Sequence, residues 1–331
     1  MSTFEASAPT RIDLAGGTLD IWPLYLFHPG SITINVALDR RASCRVQTGI
    51  NGVRLESKDT LEKVEGRDLS EVLARGGQPL IANILRALGI EAGVHVATQS
   101  RVPVGSGLGV SSAIAVAAAA AAARAIDRPL SPDALWPIVR DAEAQAAGVP
   151  TGVQDYQSAL HGGVLCIRLD AGQITTERLA TDPSGVEEHL LLVDAGATRF
   201  SGINNWEIVK RRIDGDPVVE AGLACIAAVA QRVRGALMDR RYDHMPSLLR
   251  EEWEARKRLA PAVTTPEIDA IVEIAAAQGG AGRACGAGGG GMVAVWITPE
   301  AREGTLSRLR EAGFKGHPIR IDLQGLVVEA A

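Results

Sequence analysis

PVGSGLGVSSA at residues 103–113 runs directly into IAVAAAAAAARA at residues 114–125, so a glycine-rich turn feeds an alanine-rich helix. Gly105, Gly107 and Gly109 have access to positive φ and let the backbone approach a ligand closely. The helix that follows directs unpaired N–H groups and a positive dipole end at whatever the turn encloses. That arrangement suits phosphate: the backbone of residues 105–112 forms the cradle, and Ser111 or Ser112 comes within reach of a metal ion carried on the phosphates. Two better-known glycine motifs are excluded. No lysine follows the last glycine, as GxxxxGK[ST] requires, and the spacing is GxGxG where a dinucleotide fingerprint has GxGxxG. On these residues alone, a turn that packs closely and binds nothing stays open.

Two further glycine-centred segments narrow the reading. Residues 8–20 are APTRIDLAGGTLD and residues 283–297 are RACGAGGGGMVAVWI. APxR followed by GGxxD, then PxGxGLGxSSA, then GAGGGG before an apolar strand, resembles the GHMP kinase family, which takes in galactokinase, homoserine kinase, mevalonate kinase and phosphomevalonate kinase. GVQDYQSALHGG at residues 152–163 is similar to the GxQDQ…GG segment of its sugar-kinase branch, in particular the heptose 7-phosphate kinase type. The motifs run from residue 8 to residue 291, so the resemblance covers nearly the whole chain.

The bulk properties agree with an ordinary globular protein. At 331 residues the chain is long enough for two domains with their own cores. A net charge of −5 gives no basic footprint for nucleic acid and argues against an anionic membrane surface. The longest uncharged apolar run, residues 113–123, is mostly alanine and falls well short of the roughly 20 residues needed to cross a bilayer. MSTFEASAP carries neither the basic region nor the apolar core of a secretory signal, so a cytoplasmic location is expected. Cys44, Cys166, Cys225 and Cys285 form no CxxC pair and read as scattered reduced thiols; no HExxH occurs.

Apolar and alternating stretches predict strands over residues 12–15, 31–47, 93–99 and 163–169, with helices over 79–88, 111–126 and 132–146. Beyond residue 182, a strand over 189–196 precedes helices near 206–212, 218–239, 243–259 and 266–277. A strand over 292–297, a helix over 302–312 and a last strand near 319–328 complete the chain. The boundary is placed between residues 180 and 190, with domains 1–185 and 186–331. The fold class expected is mixed α+β. The resemblance implies a two-domain GHMP kinase fold: an N-terminal ribosomal-protein-like α/β domain, a C-terminal ferredoxin-like domain, and an active site in the cleft between them.

Phosphoryl transfer needs a held phosphate, neutralised charge and an in-line acceptor hydroxyl. The resemblance implies ATP and Mg²⁺, with Pro103, Gly105, Ser106, Gly107, Leu108, Gly109, Val110, Ser111 and Ser112 forming the nucleotide loop. Ser111 and Glu143 match the family's magnesium ligands; Glu143 lies twelve residues before Asp155, the spacing of the sugar-kinase branch. Without the resemblance, Glu143 reads as a solvated carboxylate on a helix, and Ser112 as a helix-start residue. Asp155 matches the catalytic base and Arg11 the basic group that keeps it ionised. Gly16, Gly17, Thr18, Asp20, Gly152, Gly288 and Gly289 fall where the family places acceptor-binding or closing elements. Asn204 and Asn205, in TRFSGINNWEIVKRR at residues 198–212, are read as candidates for a sugar pocket or as an ordinary helix start, with Lys210, Arg211 and Arg212 as a basic tail.

The chain also departs from the pattern. GGTLD lacks the Glu and His of galactokinase's first motif, Leu19 separates Thr18 from Asp20, Tyr156 stands where the segment has Gln, and Val110 replaces a further Ser. The function expected is transfer of the γ-phosphate of ATP to a hydroxyl of a sugar or sugar phosphate, the anomeric hydroxyl among the options. A mevalonate-pathway-type kinase and a catalytically silent ATP- and sugar-binding sensor remain as alternatives, as does a homodimer beside a monomer.

Overall fold

The computed structural model describes residues 2–103, 105–196 and 202–331, with the side chains of residues 202–204 excepted. In chain order the elements of the first half are β1 (Thr3–Ala15), β2 (Ser31–Thr48), β3 (Val53–Ser57), β4 (Glu62–Gly66), α1 (Leu69–Ala74), α2 (Pro79–Ala87), β5 (Val94–Ser100), α3 (Val110–Ala125), α4 (Pro132–Ala147), α5 (Gln154–His161), β6 (Val164–Asp170) and β7 (Gln173–Arg178). The second half contains α6 (Pro183–His189), β8 (Leu190–Asp194), α7 (Gly202–Ile213), α8 (Pro217–Met238), α9 (Met245–Leu259), α10 (Pro266–Ala277), β9 (Ala281–Ala284), β10 (Met292–Trp296), α11 (Arg302–Glu311), β11 (Lys315–Pro318) and β12 (Val327–Ala330).

The first sheet runs β12-β1-β2-β5-β3-β4, with β6 and β7 continuing from β2. The long β2 organises it: one edge pairs with β1, while the other pairs first with β6 over residues 31–36 and then with β5 over residues 42–48. The second sheet is antiparallel throughout, in the order β11-β8-β10-β9. Numbered along the chain, that order is 4-1-3-2, the ferredoxin-like arrangement expected for the C-terminal half.

The apolar runs at 190–194 and 292–296 are explained by strands buried on both faces. Leu190 and Leu192 of β8, with Met292, Ala294 and Trp296 of β10, face Ile12, Leu14, Ile34 and Val36 of the first sheet through α8 and α9. The intervening Leu191, Val193, Val293 and Val295 pack instead on α10 and α11. A side-chain period of two thus gives the second half its own core and a second core shared with the first half. The apolar stripe of α8 (Val219, Leu223, Ile226, Val233 and Leu237) is buried in these shared layers.

Helix α3 is buried nearly all round, which its alanines permit because small side chains let sheet and neighbouring helices close in. It packs on β1 and β2 between α2, α4 and α5. Helix α4 follows its sequence signals closely: Ser131 caps its start, Pro132 takes the first turn, and Gly148 ends it in the left-handed conformation. At both chain ends the structure departs from the sequence pattern. β1 begins at Thr3, nine residues before the expected strand, because its small and polar first half is held by pairing with both β2 and β12. The expected strand over 319–328 is reduced to residues 327–330 and a lone bridge between Leu38 and Ile321. Between them Asp322 Oδ1 accepts the N–H groups of Gln324 and Gly325 in a turn, and β12 then joins the first sheet.

Candidate active site

The glycine turn is fixed from two sides. Arg11, buried on β1, donates its backbone N–H to Leu108 O at 2.9 Å and its Nη1 to Gly107 O at 2.6 Å. From the second half, Met292 N donates to Ser106 O at 2.9 Å. Gly107 (φ +78°) lies so close to the C-terminal glycine run that an added Cβ would sit 2.5 Å from Cys285 O; one on Gly286 would sit 2.9 Å from Gly107 O. Hence the first and third glycine segments interlock backbone to backbone, which side chains would prevent. Gly109 (φ +70°) starts α3 with no side-chain cap, leaving the helix N-terminus open to a cavity of about 420 Å³.

Asp155, in the first turn of α5, sits over that N-terminus: a Cβ on Gly109 would come within 3.0 Å of its Oδ2. Arg11 Nε donates to Asp155 Oδ1 at 2.7 Å, and its Nη2 lies 2.6 Å from the same oxygen. Burial pulls the Arg11 pKa down, but the charges of Asp155 and Asp13 outweigh it and the net shift is upward. The guanidinium is therefore a permanent positive charge beside the Asp155 carboxylate.

Asp20 is buried on the same wall, where its Oδ2 accepts Gln154 N at 3.1 Å and so supplies the missing cap of α5. Gly152 leaves room for this carboxylate, since a Cβ there would fall 2.1 Å from that oxygen. Burial, and then the negative charge of Asp155, push the Asp20 pKa up to about 7 against the opposing hydrogen bond from Gln154.

Glu143 reaches the cavity from α4. Its Oε2 accepts Ser112 Oγ at 2.8 Å and Tyr156 Oη at 2.7 Å, and Ser111 also hydrogen-bonds it. Burial raises its pKa in spite of these three hydroxyl donors. Far from being solvated, the carboxylate lies directly under the start of α3. Ser112, read as a helix-start residue, turns its hydroxyl to Glu143.

Behind the cavity lies a buried ionic cluster that sequence reading did not find. Arg283 of β9 pairs with Asp13 Oδ2 at 2.9 Å and with Glu252 of α9; Arg256 of α9 pairs with the same Asp13 oxygen at 3.2 Å. Glu252 Oε1 accepts Gly16 N at 3.0 Å, Arg283 donates to Leu14 O at 2.6 Å, and Arg256 donates to Gly286 O at 2.6 Å. Two arginines and two carboxylates balance in charge while tying the first glycine motif to the third. Burial raises the pKa of both acids, but Arg283, Arg256 and Arg11 together hold Asp13 below its usual value; Glu252, repelled by Asp13, stays above its own. The visible signal was limited to the i,i+4 spacing of Glu252 and Arg256.

Of the remaining candidates, Gly105, Ser106, Val110, Thr18, Asn205 and Gly288 line the cavity, together with the unanticipated Arg256. Thr18 has φ +80°, a conformation a non-glycine residue rarely adopts. Gly16 and Gly17 lie behind the wall: added Cβ atoms would strike Ile32 O at 2.1 Å and the Asp13 carboxylate at 1.9 Å. Leu108 points into the shared core, Pro103 is exposed at the loop's edge, and Gly289 donates its N–H to Val263 O. None of these five is on the cavity wall. The Asn204 side chain and residues 198–201 lie outside the described residues. The basic tail is engaged locally: Lys210 with Glu207, Arg211 with Asp216 and Leu259 O, and Arg212 over the Phe27 ring at 4.6 Å.

An interdomain cleft walled by three glycine segments, with an arginine-held aspartate at the mouth of a helix, defines a phosphoryl-transfer class of site. The family description "GHMP kinases N terminal domain" matches residues 76–163 and "GHMP kinases C terminal" matches residues 234–315, together just over half of the chain. The chain belongs to the GHMP kinase family. It is 24% identical over 333 residues to a D-glycero-alpha-D-manno-heptose 7-phosphate kinase of Campylobacter jejuni, with 95% of each chain covered. A galactokinase of Mycobacterium tuberculosis is 27% identical over 204 residues, 53% of this chain and 56% of that one. Among solved structures, a D-glycero-D-manno-heptose 1-phosphate kinase of Bacteroides thetaiotaomicron superposes with a TM-score of 0.79 at 20% identity, covering 98% of both chains. Lactococcus lactis galactokinase complexed with galactose gives 0.79 at 15% identity, covering 98% of this chain and 95% of that one. These likenesses bear out the expected two-part GHMP fold.

Proposed function

We propose that the protein is an ATP- and Mg²⁺-dependent kinase that transfers the γ-phosphate to a hydroxyl of a sugar or sugar phosphate, in the manner of a heptose 7-phosphate kinase. The observation that carries the reading is the convergence of Arg11, Asp155 and Asp20 with the open N-terminus of α3 in one cavity. The 24% identity to a heptose 7-phosphate kinase along nearly the whole chain supports a sugar phosphate as acceptor.

The residues present fit a nucleotide. Ser106 Oγ is buried on the cavity wall without a hydrogen-bond partner, as a donor waiting for a phosphate oxygen would be. Among the described residues no three His, Cys, Asp or Glu side chains cluster into a self-contained metal site. Magnesium in kinases does not need one, since it takes one or two protein oxygens and completes its shell with phosphate and water. Ser111 and Glu143 are the residues that would hold it. When bound, it would neutralise charge on the phosphates.

The chain's own groups supply the rest. Backbone N–H groups of residues 105–112 hold the transferring phosphate, and Asp155 accepts the proton of the acceptor hydroxyl as transfer proceeds. Arg11 holds the Asp155 carboxylate and anchors the loop through Gly107, so base and phosphate cradle keep one distance. Asp20, Thr18, Gly152, Asn205 and Gly288 form the acceptor end, with Gly16, Gly17 and Gly289 shaping it from behind. The enzyme is placed in the cytoplasm, acting on small molecules, as a monomer or a homodimer.

The test is ADP release with Mg-ATP across free and phosphorylated hexoses and heptoses, with mevalonate and homoserine included and phosphorus NMR on any product. A single sugar phosphate turning over locates the new phosphate. Turnover of mevalonate or homoserine alone overturns the sugar reading, and tight ATP binding with no turnover on any acceptor leaves the sensor alternative.

A further inference from the structure

We propose that Tyr156 is a positioning residue that aims the Glu143 carboxylate at the cation and couples it to the acceptor end of the cavity. The proposal rests on the reading of Glu143 as a cation ligand. Tyr156 follows Asp155 on α5, and the turn of the helix sends the two side chains different ways: Asp155 to Arg11, Tyr156 to α4. The phenol is fully buried, where an unpaired hydroxyl would be costly. It has two partners, Glu143 Oε2 at 2.7 Å and Thr151 Oγ1 at 2.9 Å.

A phenol carries one hydrogen, so both bonds form only if their directions are ordered. The carboxylate is the stronger acceptor and takes the Tyr156 hydrogen; the Thr151 hydroxyl then donates to the phenol oxygen. With Ser112 on the same Oε2, two donors on opposing elements fix the orientation of the carboxylate. Outer partners of this kind, which orient a ligating group without touching the metal, commonly govern metal affinity.

The other end of the chain of bonds reaches the acceptor wall. Thr151 is followed by Gly152, which bridges to Ile21 and packs against the Asp20 carboxylate. A path of contacts therefore runs Glu143, Tyr156, Thr151, Gly152, Asp20 across one cavity.

The experiment titrates Mn²⁺ by electron paramagnetic resonance in the presence of the β,γ-imido analogue of ATP, comparing wild type, Tyr156→Phe, Thr151→Val and Glu143→Gln. Nucleotide affinity is measured separately in EDTA. Tyr156→Phe should weaken Mn²⁺ about tenfold, Thr151→Val by less as the bridge loosens, and neither should move nucleotide affinity in EDTA. Both should also raise the KM for the acceptor identified in the turnover assay. Wild-type Mn²⁺ affinity in Tyr156→Phe, with Glu143→Gln impaired, overturns the role of Tyr156. Wild-type Mn²⁺ affinity in Glu143→Gln overturns the cation reading itself, and the proposal with it. If Tyr156→Phe does not fold, Thr151→Val decides: unchanged Mn²⁺ affinity and unchanged acceptor KM together overturn the bridge.

Discussion

Arg11 bonds Asp155 and the carbonyl of Gly107 with a single guanidinium, at 2.7 Å and 2.6 Å, so the base and the phosphate turn are positioned by one side chain. Asp155→Asn keeps the shape and removes the proton acceptor. It should lower kcat by about 10²–10⁴-fold while the nucleotide dissociation constant, read by calorimetry, stays within about twofold. Near wild-type kcat in Asp155→Asn would remove Asp155 from the proton transfer.

The interlock of the two glycine segments can be separated from simple backbone strain. Gly76 (φ +77°) and Gly107 (φ +78°) share a conformation, but a Cβ on Gly76 meets nothing within 4 Å. Gly76→Ala should therefore cost about 1 kcal/mol of stability. Gly107→Ala should cost about 2–4 kcal/mol and most of the activity, because Cys285 O must move away. Urea denaturation of both variants makes the comparison; equal losses would show that the contact with Cys285 contributes nothing.

Removing one member of the buried ionic cluster leaves its partners charged and dry. Arg283→Met strands Glu252 and leaves Asp13 with Arg256 as its remaining ion-pair partner, and should destabilise the protein by about 3–5 kcal/mol. The double variant Arg283→Met/Glu252→Leu should recover part of that loss, since the Glu252 charge is then no longer left unpaired. Thermal melts of the single and double variants read this directly. A double variant less stable than the single one would mean that Glu252 is held chiefly by Gly16 N and not by Arg283.

Asp20 gives a pH dependence of definite sign. Its folded pKa, about 7, lies above the ordinary carboxylate value of 3.8. The folded state thus favours the neutral acid: the associated stability is complete below pH 3.8 and is lost as pH rises through 7. In mildly alkaline buffer the wild type carries a buried charge that Asp20→Asn lacks. The variant should therefore be the more stable there, by about 1–3 kcal/mol, and nearly equal to wild type in acid near the ordinary carboxylate pKa. Its acceptor KM should rise at the same time, a trade of function for stability. Thermal melts in the two buffers make the comparison, and an identical melting difference in both would contradict the assignment.

Local sequence marked the motifs and the longer elements, because both are written at short range; the short strands β3, β4, β7 and β9 and the helix α5 carried no pattern that announced them. Positive-φ glycines mark the turns, alanine content marks the buried α3, and apolar runs mark β8 and β10 as strands covered on both faces. The order of glycine segments was enough to name the family, and the same motifs singled out Arg11, Asp155, Asp20 and Glu143.

Tertiary structure decided what depends on residues distant in the chain. Nothing periodic in residues 3–9 or 327–330 announces that the two termini pair, since each strand is held by its partner and not by its own pattern. Arg256, Glu252 and Arg283 are ordinary helix and strand charges until α9 and β9 press them against Asp13 and its neighbours, some 240 to 270 residues away in sequence. Their importance comes from shared burial, which local composition does not encode. The same holds for Tyr156: the sequence registered it as a mismatch, and packing of α5 against α4 made it a partner of Glu143.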